Sequence, residues 1–294
     1  MKFIRHSIAV LFAVVFFTQC REPEKKEEPA KETKTPRPEP PKWKNPDTKI
    51  SYSKIPGKKN VKRIQDSLDA KQQKIIMALN RADMANLASM DSILIPNDLS
   101  GDIVFYLPFP LQVKGLEDIR KIIFFSYPSQ SFGAYEYGNL VYAGPSNMGR
   151  KKDQTPTGLY FTNWKAEETT STFNDEWELK WNFNIENKEG IGWHQYAMPG
   201  YPASHSCLRL LEDDAKYLYK WADEWKLKGT DSVLLKGTPV IVFGSYPFDG
   251  KKPWMSLVQD DHALDIKAGE LEQLVEPHRK EIMEAQEKRE GSKQ

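Results

Sequence analysis

Cysteine is nearly absent: the 294 residues hold two, Cys20 and Cys207. That excludes a disulfide-stapled scaffold, and the lack of any C-x-x-C pair excludes thiolate zinc sites. Histidine is scarce too, five in all, and His194 and His205 stand too far apart for an i, i+4 metal pair. No metal and no cofactor is therefore expected. No P-loop and no G-x-G-x-x-G run occurs, so the usual phosphate cradles are missing. Charge of one sign is not in excess: 42 Lys and Arg oppose 41 Asp and Glu, for a net +1. With no basic stripe, no nucleic-acid partner is expected. Long apolar runs are also missing. Ile8 to Phe17 spans about ten residues, short of the ~20 that cross a bilayer.

That short run, behind Lys2 and Arg5, has the pattern of an export signal over residues 1–20. It ends in Phe17-Thr18-Gln19-Cys20. A cysteine there resembles the lipobox of bacterial lipoproteins, with Gln19 where a small residue is usual. The resemblance implies that Cys20 is lipidated and that the chain is an exported, membrane-anchored lipoprotein facing the periplasm or cell wall. Ordinary secretion with Cys20 close to the cleavage point is the alternative. A lipidated Cys20 would leave Cys207 no disulfide partner. An unused free thiol is a liability in an oxidising compartment, which points to a chemical role for Cys207.

Residues 21–50 read as a disordered linker. Arg21 to Lys42 carries six prolines among charges of alternating sign and offers little to bury. At ~3.1 Å per residue it could hold a domain up to roughly 70 Å from a membrane. Residues 51–99 read as a small, mostly helical module, because Val61, Ile64, Leu68 and then Ile75, Ile76, Leu79 follow helical spacing. Asn80 and the closing Leu94-Ile95-Pro96 resemble a degenerate LysM pattern, which would imply glycan binding. A structural cap on the next domain is the other reading.

From residue 100 the texture turns to strands. Ile103–Leu107, Lys121–Phe125, Ser131–Tyr142 and Trp177–Ile185 are rich in β-branched and aromatic residues, the last alternating over one face. Glu212–Trp225 reads as an amphipathic helix with acids in its first turn. Thr238–Phe243 reads as a buried strand, and residues 251–294 as a charged helical tail that frays from Glu281. The strand spacing predicts a mainly β domain over residues 100–250, a sandwich or barrel of packed sheets with one or two helices.

The chemistry concentrates between Trp193 and Leu210. This stretch holds His194, His205 and Cys207. A thiol becomes nucleophilic as thiolate, and a nearby imidazole can take its proton. An inert, buried cysteine beside incidental histidines is the bland alternative. Three features lie in order: Thr155-Pro156-Thr157-Gly158, then His194, then Ser204-His205-Ser206-Cys207-Leu208-Arg209. Together with Gly237-Thr238-Pro239-Val240 they resemble the YkuD-type L,D-transpeptidase catalytic domain, over roughly Ser100 to Tyr246.

The resemblance implies a two-sheet fold and a cysteine-dependent transferase acting on peptidoglycan stem peptides. It assigns Cys207 as nucleophile, His194 as base, and the Gln195 carbonyl as orienter of the imidazole. Backbone N–H groups of Ser206 and Cys207 would form the oxyanion hole, and His205 would position the site. Arg209 is a candidate for a substrate carboxylate or, equally, a structural ion pair. Ser204, Tyr201 and Trp193 join it as candidate substrate contacts. Two features depart from the family pattern. Ser206 stands where the family has Gly, and the His194–Cys207 spacing is short.

Overall fold

The computed structural model describes residues 37–170 and 178–292. The expected export signal, Cys20, the first part of the expected linker and Trp177 lie outside the described residues. The chain enters at a strand β1 (Tyr52–Ile55), followed by helices α1 (Gly57–Ser67), α2 (Ala70–Asn80) and α3 (Met84–Leu87) and strand β2 (Ile93–Pro96). β1 and β2 pair antiparallel. Asp69 and Gln72 form a reciprocal capping box that starts α2. Arg81 ends that helix in the left-handed conformation, φ 53°. Buried Asn80 then bonds the backbone of Leu94 through both its amide atoms, at 2.8 and 2.9 Å, and so fixes β2 to α2.

Next come strands β3 (Ile122–Ser126), β4 (Ser131–Glu136), β5 (Asn139–Pro145), β6 (Gly158–Phe161), β7 (Lys165–Thr170), β8 (Glu178–Glu186), β9 (Ile191–Gln195) and β10 (Leu208–Leu210). Helix α4 (Glu212–Trp221), strands β11 (Lys226–Lys228), β12 (Ser232–Leu235) and β13 (Pro239–Phe243), and helices α5 (Ala268–Val275) and α6 (Arg279–Gly291) complete the chain. One sheet has five strands in the order β5-β4-β3-β13-β6, another four in the order β10-β9-β8-β7. The fold is mainly β, with several sheets and no closed barrel among the described strands.

Strand periodicity explains how the sheets stack. Along β3, Ile123 and Phe125 face one core and Ile122 and Phe124 the other. The first core lies between the two large sheets, where Phe125 and Phe132 meet Phe183, Trp193, Leu208 and Leu210, with Leu218 of α4 alongside. On the opposite face, α5 and α6 contribute Leu271, Val275 and Ile282. Full burial on both faces is why β3 and β13 are continuous apolar runs.

Four expectations change. Ile103–Tyr106 is a 3-10 turn, not a strand. Pro108 and Pro110, just beyond, remove ladder donors and leave that segment no sheet to join. The linker ends earlier than residue 50. Lys44 and Asp102 bond reciprocally, Thr48 binds Asp98, and Ser51 binds Asn97. The C-terminal helix is docked rather than frayed, since Arg289 is buried and donates to the carbonyls of Lys236 and Glu224. Asp214 does not merely decorate a helix start. It is fully buried, with Lys74 of α2 at 2.7 Å and the Tyr142 hydroxyl donating to it at 2.8 Å. Burial pushes its carboxyl above the usual range, and Lys74 opposes the shift.

Candidate active site

β10 pairs parallel to β9, with Leu208 beside Trp193, Arg209 beside His194 and Leu210 beside Gln195. Alternation along these two strands decides which side chains face the site. Trp193, Leu208 and Leu210 point into the core and are fully buried. His194 and Arg209 therefore share the opposite face, and Cys207, two residues before Arg209, falls on it too. The expectation of Trp193 as a substrate contact is thereby corrected. One residue out of register with His194, its ring lies 4.9 Å from Phe183 and 6.3 Å from Phe125.

His194 has the geometry of a base. Its Nδ1 lies 3.0 Å from the Gln195 carbonyl oxygen. A carbonyl only accepts, so Nδ1 carries the proton and Nε2 keeps its lone pair. Burial lowers the imidazole pKa to about 4, so the ring is neutral at pH 7 and able to take a proton. The Cys207 thiol is pushed above its usual pKa by burial, which the Gly192 N–H and the charge of Arg209 oppose. Its Sγ lies 3.8 Å from the Gly190 carbonyl oxygen. Among the described residues no hydrogen bond joins it to His194. The resting site is thus a neutral thiol near a neutral imidazole, not a preformed thiolate–imidazolium pair.

The turn that presents Cys207 is held from three directions. Ser206 sits at φ +75°, the conformation that favours glycine. Serine in that region costs roughly 1–2 kcal/mol, and neighbouring hydrogen bonds hold it there. Thr155 Oγ1 donates to the Ser206 carbonyl at 2.8 Å and accepts the Gly149 N–H at 3.0 Å. Ser204 Oγ donates to the Cys207 carbonyl at 2.5 Å, and Ser206 Oγ to the Asp153 carbonyl at 3.3 Å. Ser204 is 1% exposed and so braces the turn rather than meeting a substrate. Among the described residues the N–H groups of Ser206 and Cys207 have no protein acceptor.

His205 turns to the side of this site. Its Nε2 meets the Arg150 guanidinium and lies 3.9 Å from Asp153. Burial and the Arg150 charge lower its pKa. Arg209 has no carboxylate partner among the described residues, which sets aside the structural ion pair. Its guanidinium lies 4.5 Å over the Tyr196 ring and donates to the Ala197 carbonyl at 3.3 Å. Tyr201 is half-exposed at the rim, with the Lys252 ammonium 5.7 Å from its ring.

Three residues have roles in the site that a reading from sequence does not give. Thr155 was visible only as part of a turn motif. Asn147 accepts the Ala203 N–H, donates to the Tyr201 carbonyl, and pairs its backbone with Arg209. Tyr127, just after β3, donates to the Gly149 carbonyl at 2.5 Å. Neither of the last two carries a local signal, because each acts through a backbone partner far along the chain.

Among solved structures, an L,D-transpeptidase from Stackebrandtia nassauensis is similar at 24% identity and TM-score 0.36, covering 44% of this chain and 57% of its own. One from Mycobacterium tuberculosis matches at 21% and 0.34, covering 43% and 58%. One from Mycobacterium smegmatis matches at 18% and 0.34, covering 43% and 59%. The chain thus spans less than two thirds of each of these. No curated protein matches it. The family model of the L,D-transpeptidase catalytic domain, YkuD, matches residues 120–242, from just before β3 to within β13. That range takes in the Thr155 turn, His194 and Cys207, and over it this chain is similar to the YkuD family.

Proposed function

We propose that this chain is a peptidoglycan L,D-transpeptidase working through a Cys207 acyl-enzyme. One observation carries the reading: a free thiol on a strained, braced turn shares a sheet face with an imidazole whose Nε2 is open to take a proton. In the first step Cys207 Sγ attacks the carbonyl carbon of an L-residue in a stem peptide, and the thiol proton passes to His194 Nε2. The N–H groups of Ser206 and Cys207 face the oxyanion, each worth about 3 kcal/mol to the transition state. The C–N bond to the D-residue breaks, and His194 returns the proton to the departing amine. An acceptor amine then attacks the thioester, gives its proton to His194, and restores the thiol. Water as acceptor would make the same site an L,D-carboxypeptidase or endopeptidase. Arg209 supplies a cation for a substrate carboxylate.

A second reading, a non-catalytic cell-wall-binding protein, is favoured by one feature: the resting thiol faces the Gly190 carbonyl. Incubation with purified muropeptides and mass analysis separates the two. The enzyme gives cross-linked or trimmed products and a wild-type acyl adduct, both lost in Cys207→Ala with folding intact. Product formation by Cys207→Ala ends the enzyme reading.

Export and lipidation at Cys20 are part of the proposal and rest on the sequence. Cys20→Ala should release the protein from membranes, and a wild type wholly in the soluble fraction would contradict anchoring.

A further inference from the structure

The loop between the proposed base and nucleophile is gripped from outside the range similar to YkuD. Asp83 lies at the start of α3, well before residue 120. Its Oδ2 accepts the Met198 N–H at 2.7 Å, and its own N–H donates to the Met198 carbonyl at 3.0 Å. Ala82 pairs antiparallel with Pro199. Gly200 follows at φ +77°, where a Cβ would come within 2.9 Å of Met90 and 3.1 Å of the Asn80 carbonyl. The module therefore reads the backbone of residues 198–200 like a short added strand, with Asp83 fixing the register.

The consequence reaches Arg209. The residue before Met198 is Ala197, whose carbonyl accepts from Arg209 Nη1 at 3.3 Å. Clamping Met198 fixes that carbonyl, and the carbonyl aims the guanidinium. We infer that Asp83 is a positioning residue for substrate binding, acting through Met198 and Ala197 on Arg209. The inference rests on the proposal that Arg209 binds a substrate carboxylate. It makes residues 51–99 part of the active site's construction, rather than a detachable module.

Asp83→Ser separates the two jobs of this side chain. Serine still caps α3 by accepting the Asn86 N–H, now held at 2.8 Å, but is too short to reach Met198. Asp69→Ser is the control, changing an equivalent cap at α2 that is away from the loop. In the full chain, Asp83→Ser should speed amide exchange across residues 197–201 by about tenfold or more, with Asp69→Ser matching wild type there. With a tetrapeptide muropeptide as donor, Asp83→Ser should raise KM by roughly five- to tenfold and leave kcat within about twofold. A change confined to kcat, or faster exchange with unchanged KM, overturns the inference. So does unchanged exchange. A wild type that never turns over would instead sink the transpeptidase reading, and the exchange comparison would still decide whether Asp83 clamps the loop.

Discussion

Thr155→Val tests whether the turn before Cys207 is held by a single hydroxyl. Valine keeps the shape of threonine and removes only the polar atom. Thr155 is 2% exposed, so no solvent replaces what is lost. The Gly149 N–H would be left buried without an acceptor, at about 1–3 kcal/mol. The Ser206 carbonyl is half-buried and can reach water in part, which limits its loss to about 1 kcal/mol. The sum predicts a destabilisation of about 2–4 kcal/mol, read as a shift of the urea midpoint at unchanged slope. Local strain adds a second effect. Ser206 would be freed to leave φ +75°, which costs roughly 1–2 kcal/mol to hold, so acylation should slow by about five- to thirtyfold. Thr155→Ser keeps the hydroxyl and should restore most of both. A Thr155→Val protein within about 0.5 kcal/mol of wild type and with wild-type acylation would refute the bracing argument.

Burial that lowers His194 to about 4 makes it a stability switch: its contribution is complete above the unfolded value of 6.5 and is shed as pH falls toward 4. Wild type should therefore lose about 3 kcal/mol more than His194→Gln over that window (some 2.5 pH units at ~1.36 kcal/mol each), and parallel unfolding curves would contradict it. Lys74→Met strands the buried Asp214 carboxylate and should cost about 3–5 kcal/mol by chemical denaturation. Adding Asp214→Asn should recover part of that loss, and strictly additive losses would show that the pair is not coupled. His205→Ala should lower acylation by less than the 10²–10⁴ typical for removing a general base, as His194→Ala would, and leave Cys207 alkylation at wild-type rate. A slower alkylation in His205→Ala alone would reverse the roles of the two histidines.

The sequence by itself determined what periodicity and composition encode. Alternation and β-branched runs announced a mainly β fold, because a strand with one or two buried faces must repeat every two residues or be apolar throughout. The reacting groups were legible because chemistry restricts residue type: with so few cysteines and histidines, Cys207 and His194 stood out, and the family resemblance added the Gln195 carbonyl. The Ser206 departure could even be read as a demand for positive φ. The tertiary structure alone decided what depends on distant partners. It turned Trp193 into the core through strand register, gave the Thr155 hydroxyl to the Ser206 carbonyl, buried Asp214 against Lys74, and set Asp83 on Met198. The last three leave no local trace, since each joins backbone or side-chain atoms that lie from about fifty to more than a hundred residues apart in sequence. The thiol's protonation also belongs to the tertiary structure. A neighbouring histidine in sequence suggests a thiolate, but the balance between desolvation and nearby charge is set only once both groups are buried, and here burial wins.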